Sequence, residues 1–565
     1  MIYLNKENVM SRFCPTCGRQ LSPSGKCFGC GAPKENKMGV IEALVITGIV
    51  IGLLAAAVIG FSRMVGNPFE ILGKLKLRKT SIYEVTRASK NLAVSREPQE
   101  TIALEQIKKL REHFENREFD ALNSLYEKYQ QDFENDFRAE YELHDAFLVF
   151  ATTVPSYEEL FASWIEHSAD RYVPYLARAH YYYAKGWESR GYGWAKDTTE
   201  EQFRMMRLNF QKAADDISTA IAVKPNLLTA YIIMIGISTA TGDDAGQQNW
   251  LRAALEFFPR SFLIRSQYIT AIEPRWGGSY QEMEDLAKAA ETYADDKPDL
   301  PFLYGYIYCD QAKVLRGEKR LREAAVLYGK ATAFGDCWYF YKERAYLYHF
   351  YLKEPDKALA DIERSIYLRP TMEESYRLRS RILFQKEDYV SALHDLQTAL
   401  DLNPASSETL RWQQSAGRNL LSKGHRLFKE DLNQAIAQYK LSLMFNSQDS
   451  EAYHWRGVAY SRQGRLDLAV DDLEKAIELN PHNFDSYLML DYTLLQKHEL
   501  DRIIEYWNRF IELEPDNARA YLERSGTYYH KKDLVNSLKD LQKSCDLGNK
   551  EACKYYAQYK NQPAN

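Results

Sequence analysis

The chain has little of what reaction chemistry usually requires. Its 565 residues contain no Gly-rich phosphate loop, no HExxH metal helix and no nucleophile elbow. The 11 histidines are scattered, and His454, His482 and His498 read as exposed helix positions. A catalytic role is therefore not expected. No alternating run is long enough to compel a β-sheet. Net positive charge is absent beyond the N-terminus: residues 1–80 hold 11 Lys+Arg against 4 Asp+Glu, so with a net of −5 the other 485 residues carry −12. That weighs against a nucleic-acid-binding body, and no nucleic-acid partner is expected. Cysteine is sparse too, eight in all: Cys14, Cys17, Cys27 and Cys30, then Cys309, Cys337, Cys545 and Cys553.

What is present first is a stretch without charge. Residues 43–61 are nineteen consecutive residues of almost no polarity. At 1.5 Å per residue they reach about 29 Å, the thickness of a bilayer core, and they exceed a signal-peptide core of about 7–15 residues. A single transmembrane helix over 43–62 is expected, with the basic flank meeting anionic lipid head groups. Gly48, Gly52, Ala56 and Gly60 recur every four residues and form a stripe at which a second copy could pack as a homodimer.

Before the span, Cys14-Pro15-Thr16-Cys17-Gly18 is echoed by Cys27-Phe28-Gly29-Cys30-Gly31. Two CxxC pairs can close a tetrahedral thiolate shell around a structural Zn²⁺, and the nine residues between them are too few for a core, so metal would supply the folding energy. Residues 13–33 resemble the zinc ribbons found at the N-termini of many bacterial membrane proteins. That resemblance implies an inner-membrane protein with a cytoplasmic ribbon and an extracytoplasmic body. A thiolate site also favours the reducing side. The charge count does not: Lys26, Lys34 and Lys37 precede the span, against Arg63, Lys74, Lys76, Arg78 and Lys79 after it. Translation could begin at Met1 or Met10. Residues 63–104 read as a juxtamembrane helix or linker.

Beyond residue 100 the apolar spacing turns helical, as in Ile107, Leu110 and Phe114. Pro370, Pro404, Pro481 and Pro515 mark a 34-residue period, with nine extra residues between the second and third. Small residues keep phase with them, among them Ala358, Ser365, Ala392, Ala399, Ala469 and Ala476, where two antiparallel helices can close on each other. Residues 339–548 thus resemble tetratricopeptide repeats. That resemblance implies an all-α solenoid whose first helices line a groove for a peptide or protein partner. Arg377, Arg381, His454, Arg462, Arg519, Leu522 and Tyr529 would face it and suit an acidic or C-terminal segment. The 484–517 unit departs from the pattern, with Ile503, Trp507 and Phe510 where smaller residues are expected.

Residues 105–338 are a more degenerate helical-repeat region. The turns Ser189-Arg190-Gly191 and Pro274-Arg275-Trp276-Gly277-Gly278 there resemble an uncharacterised bacterial helical-repeat family. Trp187, Arg190, Arg275 and Trp276 could make an anion or cation–π pocket, or the glycines could serve backbone geometry alone. Residues 549–565 read as a capping helix and tail. Cys545 and Cys553 resemble the stapling cysteines of cysteine-bearing helical repeats: bonded if the body is outside the cytoplasm, small buried residues if it is not. The reading is a single-pass membrane-anchored scaffold. The alternatives are a sensor signalling through its zinc ribbon, or an enzyme using the 187–195 and 274–279 turns.

Overall fold

The computed structural model describes residues 82–85, 98, 101–191 and 197–560. The expected zinc ribbon, the span at 43–62 with its small-residue stripe, and most of the 63–104 linker lie outside them. Among the described residues no helix is long and apolar enough to cross a membrane. Every regular element there is helical, and no strand occurs.

The helices fall into two compact units, residues 80–412 and residues 413 onward, and each is described by itself. The first unit opens with α1 (Leu104–Glu115), α2 (Phe119–Asn135), α3 (Glu140–Leu148), α4 (Tyr157–His167) and α5 (Val173–Arg190). It continues with α6 (Glu200–Val223), α7 (Leu228–Thr241), α8 (Asp244–Phe257), α9 (Phe262–Ala271), α10 (Tyr280–Ala290), α11 (Phe302–Gly317) and α12 (Leu321–Ala333). The pairs α13 (Trp338–Leu347) with α14 (Pro355–Leu368) and α15 (Glu373–Gln385) with α16 (Tyr389–Leu402) follow. Local signals start many of these helices. Thr199 and Gln202 form a capping box at α6, and Ser261 and Ser279 accept first-turn amides at α9 and α10.

One buried core runs from Ile102 to Leu402, so no break falls at 338/339, where the change from degenerate to regular repeats was expected. Phe114 sits in it with ring centroids of Phe150, Tyr157, Phe161 and Trp164 at 4.7–5.7 Å. Such rings are each worth about 1.5–3 kcal/mol when fully buried.

The unit boundary falls inside α17 (Ser407–Leu427). This helix is 21 residues long where the first helices α15 and α19 have 13. The extra residues seen in the repeat spacing are therefore additional helical turns rather than a loop. After it come α18 (Leu432–Phe445), α19 (Ser450–Arg462), α20 (Leu466–Leu479), α21 (Phe484–Gln496), α22 (Leu500–Leu513), α23 (Ala518–His530), α24 (Leu534–Asp546) and α25 (Lys550–Tyr559). Cys545 on α24 and Cys553 on α25 are joined by a disulfide, their Cα atoms 4.6 Å apart.

The turn inside several pairs passes through a left-handed residue: Lys319, Lys353, Glu387, Gly464, His498 and Lys532, all with φ between 56° and 73°. Around it stands a repeated clamp. Eight residues before Glu387, Gly464 and Lys532 come Arg379, Arg456 and Arg524; eight after come Asp395, Asp472 and Asp540. Each pair forms two parallel hydrogen bonds of 2.7 Å across the helix pair. Arg344 and Asp361 repeat the arrangement around Lys353. There a π-helical turn, Tyr348–Leu352, absorbs one extra residue before Lys353.

Candidate functional site

In the second unit the first helices α19 and α23 carry the expected partner-facing residues, and the structure treats them unequally. Arg462 is exposed, with its guanidinium 4.5 Å from the Phe428 ring. Arg519 pairs with Glu523 at 3.2 Å and lies over Phe484, while Leu522 and Tyr529 are half-buried. His454 corrects the expectation: it is buried, with Nδ1 3.0 Å from Ser486 Oγ and its ring against Trp455. Burial, helped by neighbouring His425, pushes its pKa down to about 4, so it stays neutral near pH 7. Packing between successive first helices covers this position, so His454 is a packing residue and offers no surface to a partner.

Arg377 and Arg381 lie in the first unit, away from any open cationic face. Arg377 is paired with both Glu373 and Glu408, and Arg381 stacks on Trp412 with its carbon 4.6 Å from the ring. Carboxylates thus meet the charge of Arg377, whereas Arg381 is held by aromatic rings and its buried Nε has no hydrogen-bond partner.

Elsewhere in that unit, an open cleft of about 220 Å³ is lined by His144, Gln267, Tyr306, Trp338, Tyr339 and Arg369, among others. Tyr306 and Tyr339 stack at 5.5 Å, and Lys313 and Lys342 sit over Tyr339. Arg369 is held by buried Asp145, and burial pushes the His144 pKa down to about 3. The nearby thiols are poor nucleophiles, because burial pushes Cys337 up to about 12 and Cys309 higher still. Its contents suit holding a group better than attacking one.

The four pocket residues anticipated at the glycine-rich turns do not line this cleft. Arg275 pairs with Glu273, approaches Asp310 at 3.8 Å, and shares Glu273 with Lys313. Trp276 is 47% exposed. Arg190 lies over Trp187 and donates to the Gly191 carbonyl, and Trp187 packs against Phe210. The glycines serve the backbone: Gly277 has φ 101°, and a Cβ on Gly278 would fall 2.2 Å from the Ile272 carbonyl oxygen. The two arginines thus take separate partners.

Buried carboxylates missed in the sequence do more structural work. Glu140 accepts from Ser261 Oγ and from the Phe262 and Leu263 amides, capping α9, and pairs with Lys297 at 2.9 Å. Burial raises the Asp299 pKa to about 6 beside the same lysine. No short spacing announces the Glu140 contacts, which join residues more than a hundred positions apart.

Residues 106–245 and 241–296 match the family described as Domain of unknown function (DUF4034), and residues 450–483 match the tetratricopeptide repeat. Residues 450–483 are a tetratricopeptide repeat. Among the described residues every regular element is helical, and successive helices pack as pairs in each unit. A stretch of 116 residues is 31% identical to anaphase-promoting complex subunit CDC16 of Saccharomyces cerevisiae, covering 20% of this chain and 13% of that protein. Among solved structures, YrrB, titled a TPR protein with an unusual peptide-binding site, is 19% identical with a TM-score of 0.23, covering 35% of this chain and 97% of that one. MamA is 25% identical with a TM-score of 0.21, covering 32% and 97%. The TPR2AB domain of yeast Sti1, in complex with pHSP90, is 15% identical with a TM-score of 0.19, covering 40% and 97%.

Proposed function

We propose that the chain is a single-pass, membrane-anchored tetratricopeptide scaffold. Its N-terminal ribbon sits in the cytoplasm, its solenoid outside, and it holds protein partners through the first helices of residues 413–565. The observation that carries this reading is the pair of first helices α19 and α23: they present exposed Arg462, inside the tetratricopeptide match at 450–483, and half-buried Arg519, Leu522 and Tyr529 two helix pairs later. Repeats of this build offer an extended surface without any need for a reactive group.

The donor set Cys14, Cys17, Cys27 and Cys30 fits tetrahedral Zn²⁺, which would supply the folding energy of a module too small to have a core. The uncharged run at 43–61 supports the anchor. The Cys545–Cys553 disulfide supports an oxidising compartment for the body.

Crosslinking and affinity purification from membranes tests the partner surface. Arg462→Glu with Arg519→Glu and Tyr529→Ala is expected to lower partner recovery more than tenfold, while Lys475→Glu on the second helix α20 leaves it unchanged. Equal recovery from both variants would overturn the reading. Thiol labelling in membrane-intact cells tests the compartment: Cys545 and Cys553 should react only after reduction.

A further inference from the structure

Position eight before the left-handed turn residue holds the clamp arginine in the regular pairs. In the α11–α12 pair, turning at Lys319, that position is Gln311, and the position eight after is Leu327. The clamp is missing, and Gln311 is only 3% exposed. Its amide is used on something else: Gln311 Oε1 accepts from the Tyr83 backbone N–H at 2.7 Å, and Nε2 donates to the Tyr83 carbonyl at 2.9 Å. A side-chain amide engaging both polar groups of one residue is how a strand would read its neighbour.

The rest of the contact extends that geometry. Residues 82–85 belong to no helix, and their side chains alternate as those of a strand do: Tyr83 and Val85 are half-buried and packed against the core, Ile82 and Glu84 exposed. The Val85 amide donates to the Tyr308 hydroxyl at 3.2 Å, and that hydroxyl donates to Glu84 Oε2 at 3.1 Å. Tyr83 packs on Tyr280 and donates its hydroxyl to buried Glu284 at 2.6 Å. Lys330 on α12 pairs with Glu84 at 2.7 Å. Backbone recognition by Gln311 and Tyr308 is independent of sequence. Glu284 and Lys330 ask for a tyrosine followed by an acidic residue.

We propose that this groove between α10 and α11 is a second peptide-recognition site, in which Tyr83-Glu84-Val85 is a resident ligand exchangeable for an extended Tyr-acidic-β-branched segment of a partner protein. The resident segment is short, and its ion pair is solvent-exposed, so local opening is cheap relative to unfolding the unit. Because it is tethered, its effective concentration is on the order of millimolar, and a partner's apparent affinity is reduced by the fraction of time the groove is filled. The site is built from residues of the first unit and the α19 and α23 face from residues of the second, so either can fail alone.

The test uses the full chain and a labelled peptide copying residues 80–87 as the probe. Tyr83→Ala with Glu84→Ala empties the groove and is expected to tighten probe binding at least tenfold over wild type. Adding Lys330→Glu should reverse that gain, and a probe carrying Lys in place of its Glu should bind the Lys330→Glu chain again. Lys330 is partly exposed, so this swap does not threaten the fold, whereas Gln311→Ala, expected to abolish binding, needs a matched melting curve. No gain on emptying the groove, or binding indifferent to Lys330→Glu, would overturn the proposal. A wild-type dimer that disappears with the Tyr83→Ala, Glu84→Ala pair would place a second copy's segment there and overturn it equally.

Discussion

Residues 80–412 and residues 413–565 are both built of helix pairs, yet they are fastened differently. In the second unit the fasteners are local and periodic, as in Arg456–Asp472 and Arg524–Asp540, each spanning one turn at a fixed distance in sequence. The first unit has such clamps only toward its end, at Arg344–Asp361 and Arg379–Asp395, and adds fasteners that span the chain: Asp145 with Arg369, Glu140 with Ser261 and Lys297, Arg111 with the carbonyl of Leu402. Periodic fastening makes each repeat depend on its neighbours alone. Long-range fastening makes one cooperative body, and it frees a position such as Gln311 for other use.

The comparison breaks most clearly at Glu140. Glu140→Ala leaves buried Lys297 with Asp299 alone and takes the acceptor from the Phe262 and Leu263 amides, and it is expected to lower the unfolding free energy of the first unit by about 3–5 kcal/mol. Chemical denaturation followed separately for each unit should show the second unit unmoved.

The next effect lies within the second unit, where one repeat lacks the clamp. Asp491 stands 34 residues after Gly457 and accepts the Trp507 indole N–H at 2.7 Å. Burial pushes its pKa up to about 7. Between the ordinary carboxylate value, about 4, and 7 the folded state holds the proton that the unfolded state has lost, so stability falls as pH rises through that window and then levels. Asp491→Asn should flatten the profile and stabilise the unit at pH 8 by about 2–3 kcal/mol, with no gain at pH 4.

Breaking a regular clamp is expected to matter less. Asp472→Ala should cost about 1.5–2 kcal/mol, since Arg456 retains some access to water, and a double-mutant cycle with Arg456→Ala would isolate the pair. The smallest change sharpens the comparison from the other side. His498 occupies a left-handed position that Gly464 fills in the preceding repeat, so His498→Gly should stabilise by about 0.5–1 kcal/mol, read as a raised Tm.

Much of the second unit was legible because its causes are local. The proline landmarks, the small residues at Ala469 and Ala476 and the 34-residue spacing all act within one repeat or between neighbours. Ile503, Trp507 and Phe510 were legible as a departure, but their reason was not: Asp491 brings a carboxyl to a close-approach position, and the indole answers it. Reading His454 as exposed failed because the next first helix supplies Ser486 and covers it. In the first unit, contacts such as Asp145 with Arg369 leave no period to detect. The groove of Gln311 left one usable trace, an interruption in the alternation of arginine and aspartate around Lys319. The segment that fills it left another, the alternating Ile82-Tyr83-Glu84-Val85.

The docked tyrosine also sets a leash. If residues 43–62 span a bilayer as proposed, twenty residues separate the lipid from Tyr83, at most about 70 Å of chain; with the groove emptied, the next core residue among those described is Ile102, for which the limit is about 130 Å. Swapping one short segment for another would then nearly double how far from the lipid surface the whole solenoid can search.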